Sequence, residues 1–225
     1  MKSKLVPPQL VINSRMLYFG WVPEDPQAAR ALLPKGLEAK ENTAIFMNQY
    51  VVDKPEQTSG FGAYSLTYIG LDLEGLDAPD GVTPGRYWTG YFNSSEEMRA
   101  YVRERGVPAT EGQTTMTLDG DKLEVLVTSK DKPIIRTVAR VGGQIGGVLR
   151  GQLRYFTELG SEFLSGIYPY ISEAVTPWSI ESLEFLDSSH PVYALRPRLP
   201  LEITWGFYAP RASFCYPGGE ERIKR

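Results

Sequence analysis

Residues 114–128 read TTMTLDGDKLEVLVT. Two strand-like runs, 114–118 and 122–128, flank Asp119-Gly120, and Asp-Gly suits the positive φ angles of a tight hairpin turn. The chain is therefore expected to fold by antiparallel pairing. Residues 134–141 follow as the next strand. Upstream lies the clearest helix, residues 95–105. Asn93 or Ser94 caps it, Glu96 and Glu97 sit in its first turn, and Arg103 and Arg105 in its last. Gly106 stops it, and Met98, Tyr101 and Val102 form its apolar stripe.

Further out, residues 86–92 (RYWTGYF), 63–73 (AYSLTYIGLDL), 43–53 (TAIFMNQYVVD) and 10–22 (LVINSRMLYFGWV) read as strands. A turn at 58–62 and a polar connection at 76–85 separate them. Asp25-Pro26 opens a short helix over 26–33, closed by Pro34 and Gly36. Residues 178–187 read as a strand, and 201–207 and 211–216 as the last two. Residues 142–189 are the least legible, because their glycines weaken strand and helix alike. The tail 218–225 is charged and expected to fray.

The chain has 225 residues, 42% hydrophobic and 23% charged, which fits one domain over residues 1–225 and excludes whole-chain disorder. One Cys excludes an internal disulfide, and one His leaves no zinc cluster of His and Cys, so no metal is expected. A net charge of −3 argues against a nucleic-acid partner. No run approaches a membrane span, and Pro7 and Pro8 interrupt the N-terminus, so neither a signal peptide nor a membrane is expected and the location is read as cytoplasmic.

Chemistry is sparse. The cluster GGQIGG at 142–147 lacks the Lys and Ser or Thr of a phosphate loop, and reads as a flexible or bulged segment. His190 and Cys215 are a conceivable base–nucleophile pair, but read more simply as a surface imidazole and a small buried thiol. Asp119 and Asp121 sit at a hairpin tip as solvated turn residues. Alternation places Asn48 and Tyr50 on one strand face with Tyr64 and Thr67 on a neighbour, a surface suited to a small, carbonyl-bearing ligand.

Several stretches, in order, resemble the acetoacetate decarboxylase family. They are Ala31-Leu32-Leu33-Pro34 with Gly36-Leu37-Glu38; Ser59-Gly60-Phe61-Gly62-Ala63-Tyr64; Gly85-Arg86-Tyr87, leading through a strand and helix to Gly106-Val107-Pro108; Asp119 to Val125; and Tyr208-Ala209-Pro210-Arg211-Ala212. The similarity covers most of residues 12–216 and is weak over 142–177. It implies an α+β fold, a mainly antiparallel β-barrel with a few short flanking helices. It also implies no metal or organic cofactor, and a homo-oligomer.

In that family a lysine after the post-helix proline forms a Schiff base, and a second lysine lowers its pKa. Aligned here, those places hold Ala109 and Thr110. The family's two pocket glutamates fall at Met47 and Leu66, and its early arginine at Ser14 or, shifted by one, Arg15. The implied protein is a member without the Schiff-base amine. The expectation is a non-covalent enzyme of secondary metabolism, a lyase, cyclase or isomerase. It acts on a carbonyl-rich, polyketide-like small molecule by cyclisation, dehydration or isomerisation. Arg15, Glu111 and Tyr64 are the expected catalytic residues. Tyr18, Asn48, Tyr50, Trp88, Ala109 and Gln113 are expected to bind substrate within one cavity. The alternatives are a Schiff-base decarboxylase or aldolase with the lysine relocated to Lys122 or Lys130, and a non-catalytic small-molecule-binding protein.

Overall fold

The computed structural model describes residues 4–224. β1 (Gln9–Trp21) leads to Asp25, whose side chain accepts the backbone N–H groups of Gln27 and Ala28 and caps α1 (Pro26–Arg30). The remaining elements are β2 (Ile45–Val52), β3 (Tyr64–Asp72), β4 (Arg86–Asn93), α2 (Glu96–Arg103), β5 (Ala109–Asp119), β6 (Lys122–Ser129), β7 (Lys132–Leu159), β8 (Glu162–Phe185), β9 (Ile203–Tyr216) and β10 (Glu221–Lys224).

The two legible local signals hold, except that the cap of α2 moves from Asn93 or Ser94 to Ser95. In α2 the cap is Ser95, whose Oγ accepts the Met98 N–H at 3.2 Å, while Asn93 Oδ1 accepts the N–H of Ser95 at 2.7 Å. Met98, Tyr101 and Val102 are buried, and Gly106 leaves the helix at φ 74° with the carbonyl of Glu158 too close for any Cβ. The β5–β6 hairpin turns at Gly120, φ 58°, with Asp119 opposite Lys122.

Two expectations are corrected and one open stretch is decided. Residues 142–177, legible neither as strand nor as helix, belong to β7 and β8, a long hairpin. The glycine cluster lies inside β7 at two register shifts, between Val141 and Gln144 and between Ile145 and Gly147. Gly142 sits where a Cβ would strike the carbonyl of Thr176, so the glycines let the strand bulge against its partner. The two closing strands are one, β9, shifted in register around Pro210, where the missing N–H breaks no ladder. The tail pairs as β10 against residues 162–165 of β8 rather than fraying.

All pairings are antiparallel except β4 with β5 and β4 with β7. β9 pairs with both β1 and β8, and β4 pairs with β7, so β1-β2-β3-β4-β7-β8-β9 closes on itself. β5, β6 and the outer parts of β7 and β8 form a second layer over the outside of β1 to β4. That wall is thus buried on both faces, and β3 has no exposed residue. Met16, Tyr18, Phe46, Tyr50, Leu66 and Tyr68 point into the ring; Leu17, Phe19, Trp21, Ile45, Met47 and Leu71 pack against the second layer.

Candidate functional site

The inside of the ring is lined with tyrosine. Arg86 opens β4 and lies opposite Asp72 at the end of β3. Its Nε donates to Asp72 Oδ1 at 3.0 Å, and both side chains are buried. Its Nη1 donates to the Tyr18 hydroxyl, and its guanidinium carbon lies 5.0, 4.9 and 4.8 Å from the ring centres of Tyr18, Phe46 and Trp205. Burial opposes the charge on Arg86, but its interactions with Tyr18 and Asp72 more than offset this and raise its pKa.

A second chain of polar groups crosses the interior. Asn48 Nδ2 donates to the Tyr68 hydroxyl at 2.8 Å, and the Tyr68 and Tyr168 hydroxyls share a hydrogen bond of 2.9 Å. The Tyr50 and Tyr64 hydroxyls share another, at 2.7 Å. Burial raises the pKa of Tyr18, Tyr50, Tyr64, Tyr68 and Tyr168, so all five are O–H donors at neutral pH. Asn48 Oδ1 is buried with no hydrogen-bond partner. A donor from a bound molecule would satisfy it.

Two small voids remain among these rings. The first, of about 10 Å³, is bordered by Met16, Tyr18, Asn48, Tyr68, Tyr168, Tyr170 and Phe207 among others. The second, of about 20 Å³, lies between the ring and α2, against Tyr64, Trp88, Tyr91, Tyr101, Arg105, Tyr155 and Glu220. The first is at the minimum of about 10–15 Å³ that one water molecule needs, and the second is little above it. Tyr216 borders both.

The expected site residues divide between this interior and the outside. Tyr18, Asn48, Tyr50, Tyr64 and Trp88 are buried and face inward. Ala109 is buried beside Tyr91 in the same cluster but borders neither void. Arg15 is a correction. It lies three residues before the inward-facing Tyr18, so alternation sets it on the outer face of β1, where Nη2 and Nε hold Asp53 at 2.6 and 2.9 Å and Nη1 donates to the carbonyl of Met116 at 2.9 Å.

Glu111 and Gln113 are corrected too, because alternation along β5 leaves both exposed. Gln113 and Arg15 border an open outer groove that Tyr64 also reaches. Of the two aligned glutamate places, Leu66 faces the interior, but Met47 faces the second layer and its neighbour Asn48 faces in. Lys122 opens β6 and Lys130 lies on the turn after it, both exposed, and no described lysine borders either void. His190 rests on Phe92, while Cys215 lies opposite Leu10.

Arg86 is the residue that sequence reasoning missed. Its signal was available: AYSLTYIGLDL carries Asp72 as its last residue but one and RYWTGYF begins on Arg86, opposite charges at facing ends of two otherwise apolar strands.

Among the described residues, no group of three or more His, Cys, Asp or Glu side chains is placed to hold a metal ion, and no helix is long and apolar enough to cross a membrane. No protein-family model matches the chain, and no curated protein matches it. Solved structures do match. An acetoacetate decarboxylase aligns at 18% identity over 98% of this chain and 91% of its own, with a TM-score of 0.72. The acetoacetate decarboxylase of Legionella pneumophila aligns at 14% identity over 99% and 90%, with a TM-score of 0.74. The enduracididine biosynthesis enzyme MppR, solved with the condensation product of pyruvate and imidazole 4-carboxaldehyde, aligns at 15% identity over 98% and 90%, with a TM-score of 0.65. The chain, mostly strand with two short α-helices among its described residues, thus has the acetoacetate decarboxylase-like fold.

Proposed function

We propose that this chain is an enzyme of biosynthesis that works inside the ring without a covalent intermediate, on a small molecule bearing a carbonyl group. The observation that carries this reading is the pairing of a buried Arg86 with a set of protonated tyrosine hydroxyls, in an interior that no described lysine reaches. Without an interior amine there is no iminium to accept electrons. Hydroxyl donors aimed into a dry, aromatic space stabilise charge as it develops on a carbonyl oxygen. The Tyr68–Tyr168 and Tyr50–Tyr64 pairs each donate and accept, so they are suited to carry a proton between two positions of one substrate. Cyclisation, dehydration and isomerisation share that demand. MppR shares the fold and was solved with a carbonyl-derived condensation product, which supports this class of substrate.

The test uses pyruvate and acetoacetate in D₂O. Wild type is expected to speed deuterium entry at the carbon beside the ketone, followed by NMR, with Tyr68→Phe slower. Borohydride added to the mixture is expected to leave the protein mass unchanged. A trapped adduct would establish a lysine route and overturn the reading. The unpartnered Asn48 Oδ1, which a bound donor would satisfy, suits equally a second reading, a protein that holds a ligand without turning it over. Binding of either ketone with no gain in exchange would select it.

A further inference from the structure

The second void contains a carboxylate of the protein's own. Glu220 follows Gly218 and Gly219, both at positive φ (78° and 75°), which turn the chain after β9. The turn drops the Glu220 side chain into the gap between α2 and the ring. There one oxygen, Oε1, accepts from Arg105 Nε at 3.1 Å and from the Tyr155 hydroxyl at 3.1 Å. Both donors are held by other contacts. Arg105 Nη1 donates to the Tyr101 carbonyl at 3.0 Å, and its guanidinium carbon lies 3.7 Å from the Tyr101 ring centre. Tyr155 is stacked on Trp88, centroids 4.6 Å apart and planes 11° from parallel. The Arg105 and Glu220 side chains are only 21% and 15% exposed. Everything else at the void is aromatic or apolar, from Tyr64 and Tyr91 to Met98.

We propose that Arg105 and Tyr155 form a carboxylate-binding subsite, and that Glu220 fills it from within until a small carboxylate-bearing ligand displaces it. A planar cation and a rigid phenol O–H converging on one oxygen recognise a carboxylate whether it belongs to a side chain or to a ligand. Removing Glu220 opens a space that already carries the matching donors. The strap that brings it there is short: β10 pairs with β8 over residues 221–224 alone, so releasing it breaks few hydrogen bonds. The subsite deepens the proposed function by giving its ligand a carboxylate anchor, and it rests on that reading only in requiring that a ligand reach the side of the ring that faces α2.

The experiment titrates pyruvate and its neutral amide, pyruvamide, into the full chain by calorimetry. Glu220→Ala is expected to bind pyruvate at least about tenfold more tightly than wild type, because the competing group no longer lowers the fraction of open sites. Pyruvamide is expected to gain nothing. Adding Arg105→Gln to Glu220→Ala is expected to abolish the gain. Hydrogen exchange at Arg222 and Ile223 of wild type is expected to quicken as pyruvate is added.

Glu220→Gln keeps the size of the side chain and serves if Glu220→Ala fails to fold; it is expected to give a smaller gain of the same sign. Equal pyruvate affinity in wild type and the folded Glu220 variant overturns the proposal. So does a gain shared by pyruvamide, or one that survives Arg105→Gln. Tighter binding in the Glu220 variant without deuterium exchange would break the proposed function alone. Exchange with affinity unmoved by Glu220 would break this subsite alone.

Discussion

The two faces of the wall formed by β1 to β4 are equally buried and chemically unlike. The face toward the second layer is mostly aliphatic: Leu17, Ile45, Ile69 and Leu71 pack on Leu123, Val125 and Val127. The face toward the ring is Tyr18, Tyr50, Tyr64, Tyr68 and Trp88 around Arg86. Neighbouring residues of the same strands supply both. A core needs only shape and apolar area, which the first face has. The second face keeps a buried ion pair and a chain of hydroxyls, which stability alone does not call for, since well-packed apolar residues often do as well. That contrast is why the proposed chemistry is placed in the ring.

Breaking the ion pair is the strongest way to probe the contrast. Asp72→Ala leaves the buried Arg86 charge without its carboxylate and is expected to cost about 4 kcal/mol in urea unfolding, a one-partner loss. A cost below about 1 kcal/mol would mean that water reaches Arg86 and that the ring is not dry.

On the opposite face, Leu71→Ala is expected to cost about 3 kcal/mol by leaving a cavity in a fully buried position. It is expected to leave pyruvate binding and deuterium exchange as in wild type. A loss of either in the folded variant would erase the division between the faces.

Tyr68→Phe is expected to be milder for stability, about 1–2 kcal/mol, because Asn48 and Tyr168 lose a shared partner while the ring volume stays. Its expected signature is functional, slower deuterium exchange with pyruvate affinity little changed. Unaltered exchange would remove this hydroxyl from the proposed chemistry.

The smallest effect belongs outside both faces. Burial lowers the pKa of His190, against an opposing pull from Asp187. Its Nδ1 accepts the Val192 N–H at 3.2 Å, which favours the neutral ring. A folded pKa below the unfolded value of about 6.5 means that the unfolded chain binds the extra proton first. The stability from His190 is therefore complete above pH 6.5 and is lost as pH falls below it. Melting temperature between pH 7.5 and 5 should fall further in wild type than in His190→Gln, and equal falls would remove His190 as a source of the pH dependence.

Much of the fold was legible, for local reasons. Ser95, Glu96, Glu97 and the Met98–Tyr101–Val102 stripe specify α2 within one segment. Asp119-Gly120 specifies its hairpin in the same way. The start of β5 at Ala109 was not legible, because its first residues pair in parallel with Tyr91 to Asn93 of β4, across α2. The β7–β8 hairpin was hidden by glycines that weaken strand propensity but are needed where Thr176 presses on the backbone.

The site was legible in kind but not in place. Alternation put Tyr18, Asn48, Tyr50, Tyr64 and Trp88 on the inside, as the structure has them. Arg15 failed because it lies an odd number of residues from Tyr18, so alternation sets it on the outer face of β1 against Asp53, and the resemblance that placed both inside ran against that pattern. Glu111 and Gln113 failed because the strand that carries them was expected to begin only at residue 114.

By itself the sequence determined an antiparallel, aromatic-rich chain with one well-capped amphipathic helix and no lysine at the position aligned to the Schiff-base amine. The first two follow from caps, turn residues and period-two patterning, each read within a few residues, and the last from the family resemblance. Only the tertiary structure decided which charges meet. Arg86 finds Asp72 because β3 and β4 pair in that register, and Arg105 finds Glu220 because the chain turns back after β9. Contacts between residues 14 and 115 positions apart depend on ring closure and strand register, which local propensity does not encode.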